Sequence, residues 1–240
     1  MVLGVVAIGV LSYLAMNRPP PPGFTPPEAA RGTTAATSTA PSSSASQVPL
    51  APARVLVVGD GLTTAAQGEV TWPGLVEEEL TAAGRTVDVT AVATEGAGYA
   101  QADPNGITFA DMAEQAGGNF DLVVFFGSRH DIAAAADVGA AAEATLAAAS
   151  SASPGAGLAV IGPAWPAPSP PGYILTNRDA LAAAAVPSGA AFVDPLTERW
   201  FVGVGSGLLT IDGQDVTAEG HRYLAGLIRP VIERTLPARN

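Results

Sequence analysis

From residue 53 onward, short apolar runs alternate with segments whose apolar positions recur at helical spacing. The runs RVLVVG (54–59), TVDVTAV (86–92), DLVVFFG (121–127), GLAVIG (157–162) and AAFVD (190–194) read as strands. The third and fourth are almost continuously apolar, as expected of parallel strands covered on both faces. Helices are expected at 70–83, 108–117, 132–150, 176–186 and 217–235. This alternation predicts a three-layer α/β/α domain over 53–240, built on a five-stranded parallel sheet with right-handed crossovers. If the strand order is 2-1-3-4-5, a ligand site falls at the carboxyl ends of strands 1 and 3, where the order reverses. Those ends carry the loops GDGLTT (59–64) and GSRHD (127–131).

The pattern changes before residue 53. Met1 to Met16 has no charged side chain and spans roughly 24 Å as a helix, a little short of a hydrocarbon core of roughly 30 Å. No basic region precedes it and no small-x-small cleavage site follows, so an uncleaved membrane anchor is the expectation and a cleaved signal segment the alternative. Residues 17–52 are Pro-, Ser-, Thr- and Ala-rich and cannot bury enough apolar surface to offset the entropy of ordering, so they read as a disordered tether. Together these segments predict a domain held outside a membrane, or secreted if residues 1–16 are removed.

Charge and composition exclude more than they assign. With 11 basic and 22 acidic residues the formal charge is -11, which argues against nucleic acid as a partner. The chain has no cysteine, so disulfides, thiolate metal sites and a cysteine nucleophile are excluded. No glycine pattern of the dinucleotide or nucleoside-triphosphate type follows the first strand, and no cofactor is expected.

Four separated segments, in order, resemble the SGNH hydrolases, also called GDSL-type esterases. They are VVGDGLTTAAQGEVTWPGLVEEEL, TEGAGYA, VVFFGSRHD and the pair PLTERWFVG and LLTIDGQDVTAEGHRYLA. The resemblance implies a flavodoxin-like SGNH fold and, in an active member, ester hydrolysis by serine, histidine and aspartate with glycine and asparagine at the oxyanion. In this chain Gly61 stands at the serine position, His130 at the asparagine and Asp215 at the histidine, while Asp212 keeps the acid position and Gly98 the glycine. The hydroxyl nucleophile and the imidazole base that such chemistry needs are thus both replaced.

The expected result is a catalytically defective domain whose backbone site persists. Gly61, Gly98 and an imidazole N–H of His130 are the candidate oxyanion or ligand donors, with Asp60, Asp131 and Trp165 as further pocket candidates. His130 and Asp215 are expected to face each other as an ion pair. The alternative is an active esterase or acyl transferase in which His130, oriented by Asp215 or Asp212, activates a water in the space left by serine. Thr63 and Thr64 are substitute hydroxyls, and Asp60, His130, Asp131 and Asp215 have ligand types that suit a divalent ion, though without the spacing of a metal motif. His221, Trp72 and Trp200 read as packing residues. The expected partner is an acylated or glycan ligand, or a protein, of the cell envelope.

Overall fold

A computed structural model describes residues 51–64, 69–203, 207–210, 213 and 215–238. The expected anchor, nearly all of the tether and Asp212 lie outside the described residues. Among the described residues no helix is long and apolar enough to cross a membrane.

The elements run β1 (Ala53–Gly59), α1 (Trp72–Ala82), β2 (Val87–Ala93), α2 (Phe109–Ala116), β3 (Leu122–Phe126), α3 (Ala135–Ala152), β4 (Gly157–Ile161), α4 (Gly172–Ala185), β5 (Ala191–Val193) and α5 (Ala218–Thr235). All strand pairs are parallel and the order is β2-β1-β3-β4-β5. Alternation along the central strands explains the continuous apolar runs. Val55, Val57, Leu122, Val124 and Phe126 pack to one side with Trp72, Trp200 and α5, whereas Leu56, Val58, Val123 and Phe125 pack to the other with Phe109, Leu146 and Leu181. Both layers are fully covered, so no strand residue of β3 is left for solvent.

Two boundaries differ from expectation for local reasons. Helix α4 starts at Gly172, four residues before the expected 176, because Pro171 takes the extended N-cap position (ψ 152°) and leads straight into the first turn. Helix α3 starts at Ala135 rather than 132, because Asp131 and Ile132 belong to the loop that builds the site.

Trp72 and Trp200 are buried and both make edge contacts with Phe126, at 6.1 and 6.0 Å between ring centres. His221 is fully buried, and its Nδ1 accepts the N–H of Trp72 at 3.2 Å. An imidazole from α5 thereby satisfies an orphan donor in the first turn of α1, where the N-cap Thr71 supplies no side-chain bond. Burial holds the His221 pKa below its ordinary value, so the neutral ring is the folded form. A depressed folded pKa means stability that is complete above the unfolded value of about 6.5 and is lost as pH falls through the folded value. The melting temperature is therefore expected to drop as pH falls below about 6.5, and His221→Gln is expected to flatten that slope. An unchanged slope in the variant would assign the pH dependence to another group.

Candidate functional site

The carboxyl ends of β2, β1 and β3 are adjacent in the sheet, and their loops meet over one surface. Residues 60–64 follow β1, 94–101 follow β2 and 127–131 follow β3. Asp60 is fully buried under this surface, its Oδ1 accepting the N–H of Leu62 at 3.0 Å. Burial pushes the Asp60 carboxyl up; the charge of Arg129, the Leu62 amide and His130 pull it back. The Arg129 guanidinium also donates to the Gly213 carbonyl, which ties the β3 loop to the segment before α5.

Gly61 is where the site departs most from a hydrolase. A Cβ built on Gly61 would fall 1.5 Å from Oε2 of Glu95, so the Glu95 carboxylate lies in the space that a side chain at 61 would fill. Its other oxygen, Oε1, is 3.1 Å from His130 Nε2. The expected pairing of His130 with Asp215 is not formed. Asp215 lies exposed in a small turn, where its N–H donates to the Thr210 hydroxyl oxygen at 3.0 Å and its carbonyl accepts the Thr210 N–H at 2.9 Å. The carboxylate that faces His130 comes from the loop after β2, not from the last loop. Sequence reading passed over Glu95 because it matches no motif position. The signal was there: Glu95 is the one charged residue of the glycine block TEGAGYA, in the loop that follows the strand adjacent to β1.

Gly98 also has a different role from the one expected. Its N–H donates to the Gln101 carbonyl at 2.8 Å and so is not free to face an oxyanion. What Gly98 provides is room: a Cβ there would sit 2.5–2.6 Å from the Asp131 carboxylate. That carboxylate is buried and accepts the amides of Tyr99, Ala100 and Gln101 at 3.0, 2.8 and 2.9 Å. Burial pushes the Asp131 carboxyl up, and the three amides oppose this. Asp131 is therefore a clamp that fixes the β2 loop rather than a group presented to a ligand. The Asn177 side chain holds the Asp131 carbonyl from the α4 side. Ser128 completes the frame, donating to Ala97 O and accepting the His130 N–H, both at 2.9 Å.

Beside these loops opens a cleft of about 700 Å³, within the range of small-ligand sites. Gly96, Gln101, His130, Ile132, Trp165 and Tyr173 are among its lining residues. Asp60 and Asp131, expected as pocket residues, lie beneath it and do not line it, whereas Trp165 does. Neither threonine substitutes for serine. Thr63 is buried with its hydroxyl packed over Gly59, and the Thr64 hydroxyl donates to the Gly61 carbonyl at 3.0 Å. Among the described residues, the Gly61 N–H has no hydrogen-bond partner. No group of three or more His, Asp or Glu among the described residues is arranged to hold a metal ion.

A parallel β2-β1-β3-β4-β5 sheet, with a Gly-Asp-x-Leu turn after its first strand and a cleft at the strand ends, defines the class of flavodoxin-like hydrolase folds. Comparison with known proteins narrows this. The chain is 36% identical over 191 residues to the GDSL lipase Rv0518 of Mycobacterium tuberculosis, covering 76% of this chain and 82% of that protein. It therefore belongs to the SGNH/GDSL hydrolase family. Among solved structures, TesA matches with a TM-score of 0.63 at 22% identity over 76% of this chain and 99% of its own. A lipase/acylhydrolase from Enterococcus faecalis matches with a TM-score of 0.59 at 17% identity over 78% of this chain and 99% of its own. These two establish the shared fold. No family model matches the chain.

Proposed function

We propose that this chain is a non-hydrolytic member of the GDSL family, a binding domain held at the cell envelope by its first 16 residues and the tether that follows. The observation that carries this reading is the Glu95 carboxylate standing in the side-chain space of Gly61 and contacting His130 at 3.1 Å. Acyl transfer by the family's route requires a hydroxyl that is deprotonated by a neutral imidazole. At position 61 there is no hydroxyl, and the space is taken by an anion that repels an approaching hydroxide or alkoxide. The base position is Asp215, an exposed carboxylate in a turn. Removing nucleophile or base from a serine hydrolase costs about 10⁶-fold in kcat, and removing both is about as severe.

A cleft remains beside the changed positions, lined by Gly96, Gln101, Arg129, His130, Trp165 and Tyr173 among others. A ligand bound beside His130, Trp165 and Tyr173 would contact residues on the β2, β3 and β4 loops and helix α4 at once. Its nature is an envelope component, acylated or glycan in character. The test is catalytic: with a panel of short-chain aryl esters, the purified chain is expected to give no turnover above buffer, and a serine-directed fluorophosphonate is expected to leave it unlabelled. Turnover that disappears in His130→Ala would replace this reading with that of an active esterase or acyl transferase using an imidazole-activated water.

A further inference from the structure

Trp165 lines two cavities. One is the cleft at the strand ends; the other is a smaller pocket of about 250 Å³ between the loops that follow β4 and β5, bounded by Pro168, Pro170, Leu196, Arg199 and Val202 among others. The loop after β5 is held firmly from within. Asp194 accepts the N–H groups of Leu196 and Thr197, both at 3.0 Å, and the Thr197 hydroxyl at 2.7 Å, and it pairs with Arg178 at 2.9 Å. The Trp200 indole N–H donates to Glu198 at 2.7 Å. Both carboxylates of this loop are therefore engaged by other groups. Arg199, which lies exposed beside them, has no side-chain partner among the described residues. In a chain with 22 acidic residues against 11 basic, pairing would be the default for an arginine.

The backbone of Arg199 adds a second observation. Its φ is 58°, in the left-handed region that glycine takes freely and a long side chain does not. The turn itself does not call for arginine. The Arg199 N–H donates to the Leu196 carbonyl at 3.2 Å and its carbonyl accepts the Val202 N–H at 3.1 Å, bonds that a glycine would make equally well. Strain of this kind is kept where the side chain serves a purpose. Around the pocket few other donors compete: the Thr197 hydroxyl is spent on Asp194, and the prolines have no N–H. The indole N–H of Trp165 has no partner among the described residues and stands as a second donor. A guanidinium offers two parallel N–H groups, which match the paired oxygens of a phosphate or carboxylate.

We propose that the Arg199 pocket is an anion subsite adjoining the cleft, taking a phosphate or carboxylate group of the same ligand that lies beside His130 and Tyr173. The inference rests on the binding reading above and narrows it: the envelope ligand is anionic at one end, with Trp165 between its body and its charge. The formal charge of -11 on the chain does not prevent this. Charges more than about 8 Å away are largely screened at physiological ionic strength, so the nearby guanidinium decides the local field.

The test follows the indole N–H resonance of Trp165, assigned with Trp165→Phe, in the full chain carrying isotope-labelled tryptophan in a non-ionic detergent. Phenyl phosphate, benzoate and benzyl alcohol are the probes. At least one of the two anions is expected to shift the resonance to saturation, the tighter of them naming the preferred group, and benzyl alcohol, an uncharged ring, is expected not to. Arg199→Gly is expected to weaken anion binding by about tenfold or more. Its melting temperature is expected to fall by less than about 4 °C, because glycine relieves the left-handed backbone. Arg199→Lys keeps the charge without the fork and is expected to retain part of the affinity. The proposal is overturned if neither anion gives a saturable shift up to about 50 mM, or if Arg199→Gly binds as well as the parent. A larger loss of melting temperature in Arg199→Gly would also overturn it, by showing that the arginine serves the fold. Ester turnover in the same samples would overturn the non-hydrolytic reading and leave the anion subsite standing, because its occupancy is read independently of catalysis.

Discussion

Gly61→Ser is expected to leave aryl-ester hydrolysis at the buffer rate, about 10⁶-fold below a working serine hydrolase. A serine at 61 meets two obstacles that the sequence shows only in part. Its Cβ would lie 1.5 Å from Glu95 Oε2, so Glu95 must swing away and give up its contact with His130. Because the obstructing atom is the far end of a half-exposed side chain, the cost is expected to be modest, about 1 kcal/mol. Adding Glu95→Ala should remove that cost, and the non-additivity of the double-mutant cycle is the signature of the pair. The second obstacle is chemical: Asp215 stands in place of the histidine, and the imidazole that is present, His130, stands at the asparagine position and contacts Glu95 instead, so relief of the steric conflict is not expected to bring rate. Only the combination of Gly61→Ser, Glu95→Ala, His130→Asn and Asp215→His supplies nucleophile, base and free space together. Measurable hydrolysis by Gly61→Ser alone would show that His130 can serve as the base from the asparagine position.

The contrast between what the sequence disclosed and what it hid follows from the range of the interactions. Strand runs such as DLVVFFG depend on burial of both faces, a local signal, and all five strands lie within one residue of their expected bounds. The order 2-1-3-4-5 is the flavodoxin-like arrangement that the family resemblance implies, and the sheet has that order, with the two loops at its reversal point. The site itself was half legible. Replacement of serine, asparagine and histidine could be read position by position, but what filled the vacated space could not. Glu95 reaches Gly61 and His130 from the loop after a neighbouring strand, across separations of 34 and 35 residues in the chain. No periodicity marks such a contact. Likewise, Gly98 matched a motif glycine, yet its amide is spent on Gln101 and its missing side chain serves Asp131. A motif match identifies the loop, and the hydrogen-bond partners decide what each residue in it does.

Gly98→Ala is expected to be the most damaging single methyl in the site, costing about 3 kcal/mol and lowering the melting temperature by about 10 °C. The geometry of the conflict resembles that at Gly61, with a Cβ 2.5–2.6 Å from a carboxylate, but the carboxylate differs in freedom. Glu95 is half-exposed on a long stem. Asp131 is fully buried on a short one and held by three amides at 2.8–3.0 Å. Moving Asp131 would strand the N–H groups of Tyr99, Ala100 and Gln101, and each buried donor left unpaired costs about 1–3 kcal/mol. Moving the β2 loop instead would break the Ser128 link to Ala97 and shift His130, whose N–H rests on the same hydroxyl. Either way the substitution propagates to the cleft, so ligand affinity should fall along with stability. The double variant Gly98→Ala/Asp131→Ala removes the clash but not the orphaned amides, so it should cost at least about 1 kcal/mol less than the sum of the singles. Thermal denaturation of the three variants decides the point. A neutral Gly98→Ala would mean that Gly98 makes no close approach, and its position in the motif would again have to be explained by its backbone N–H.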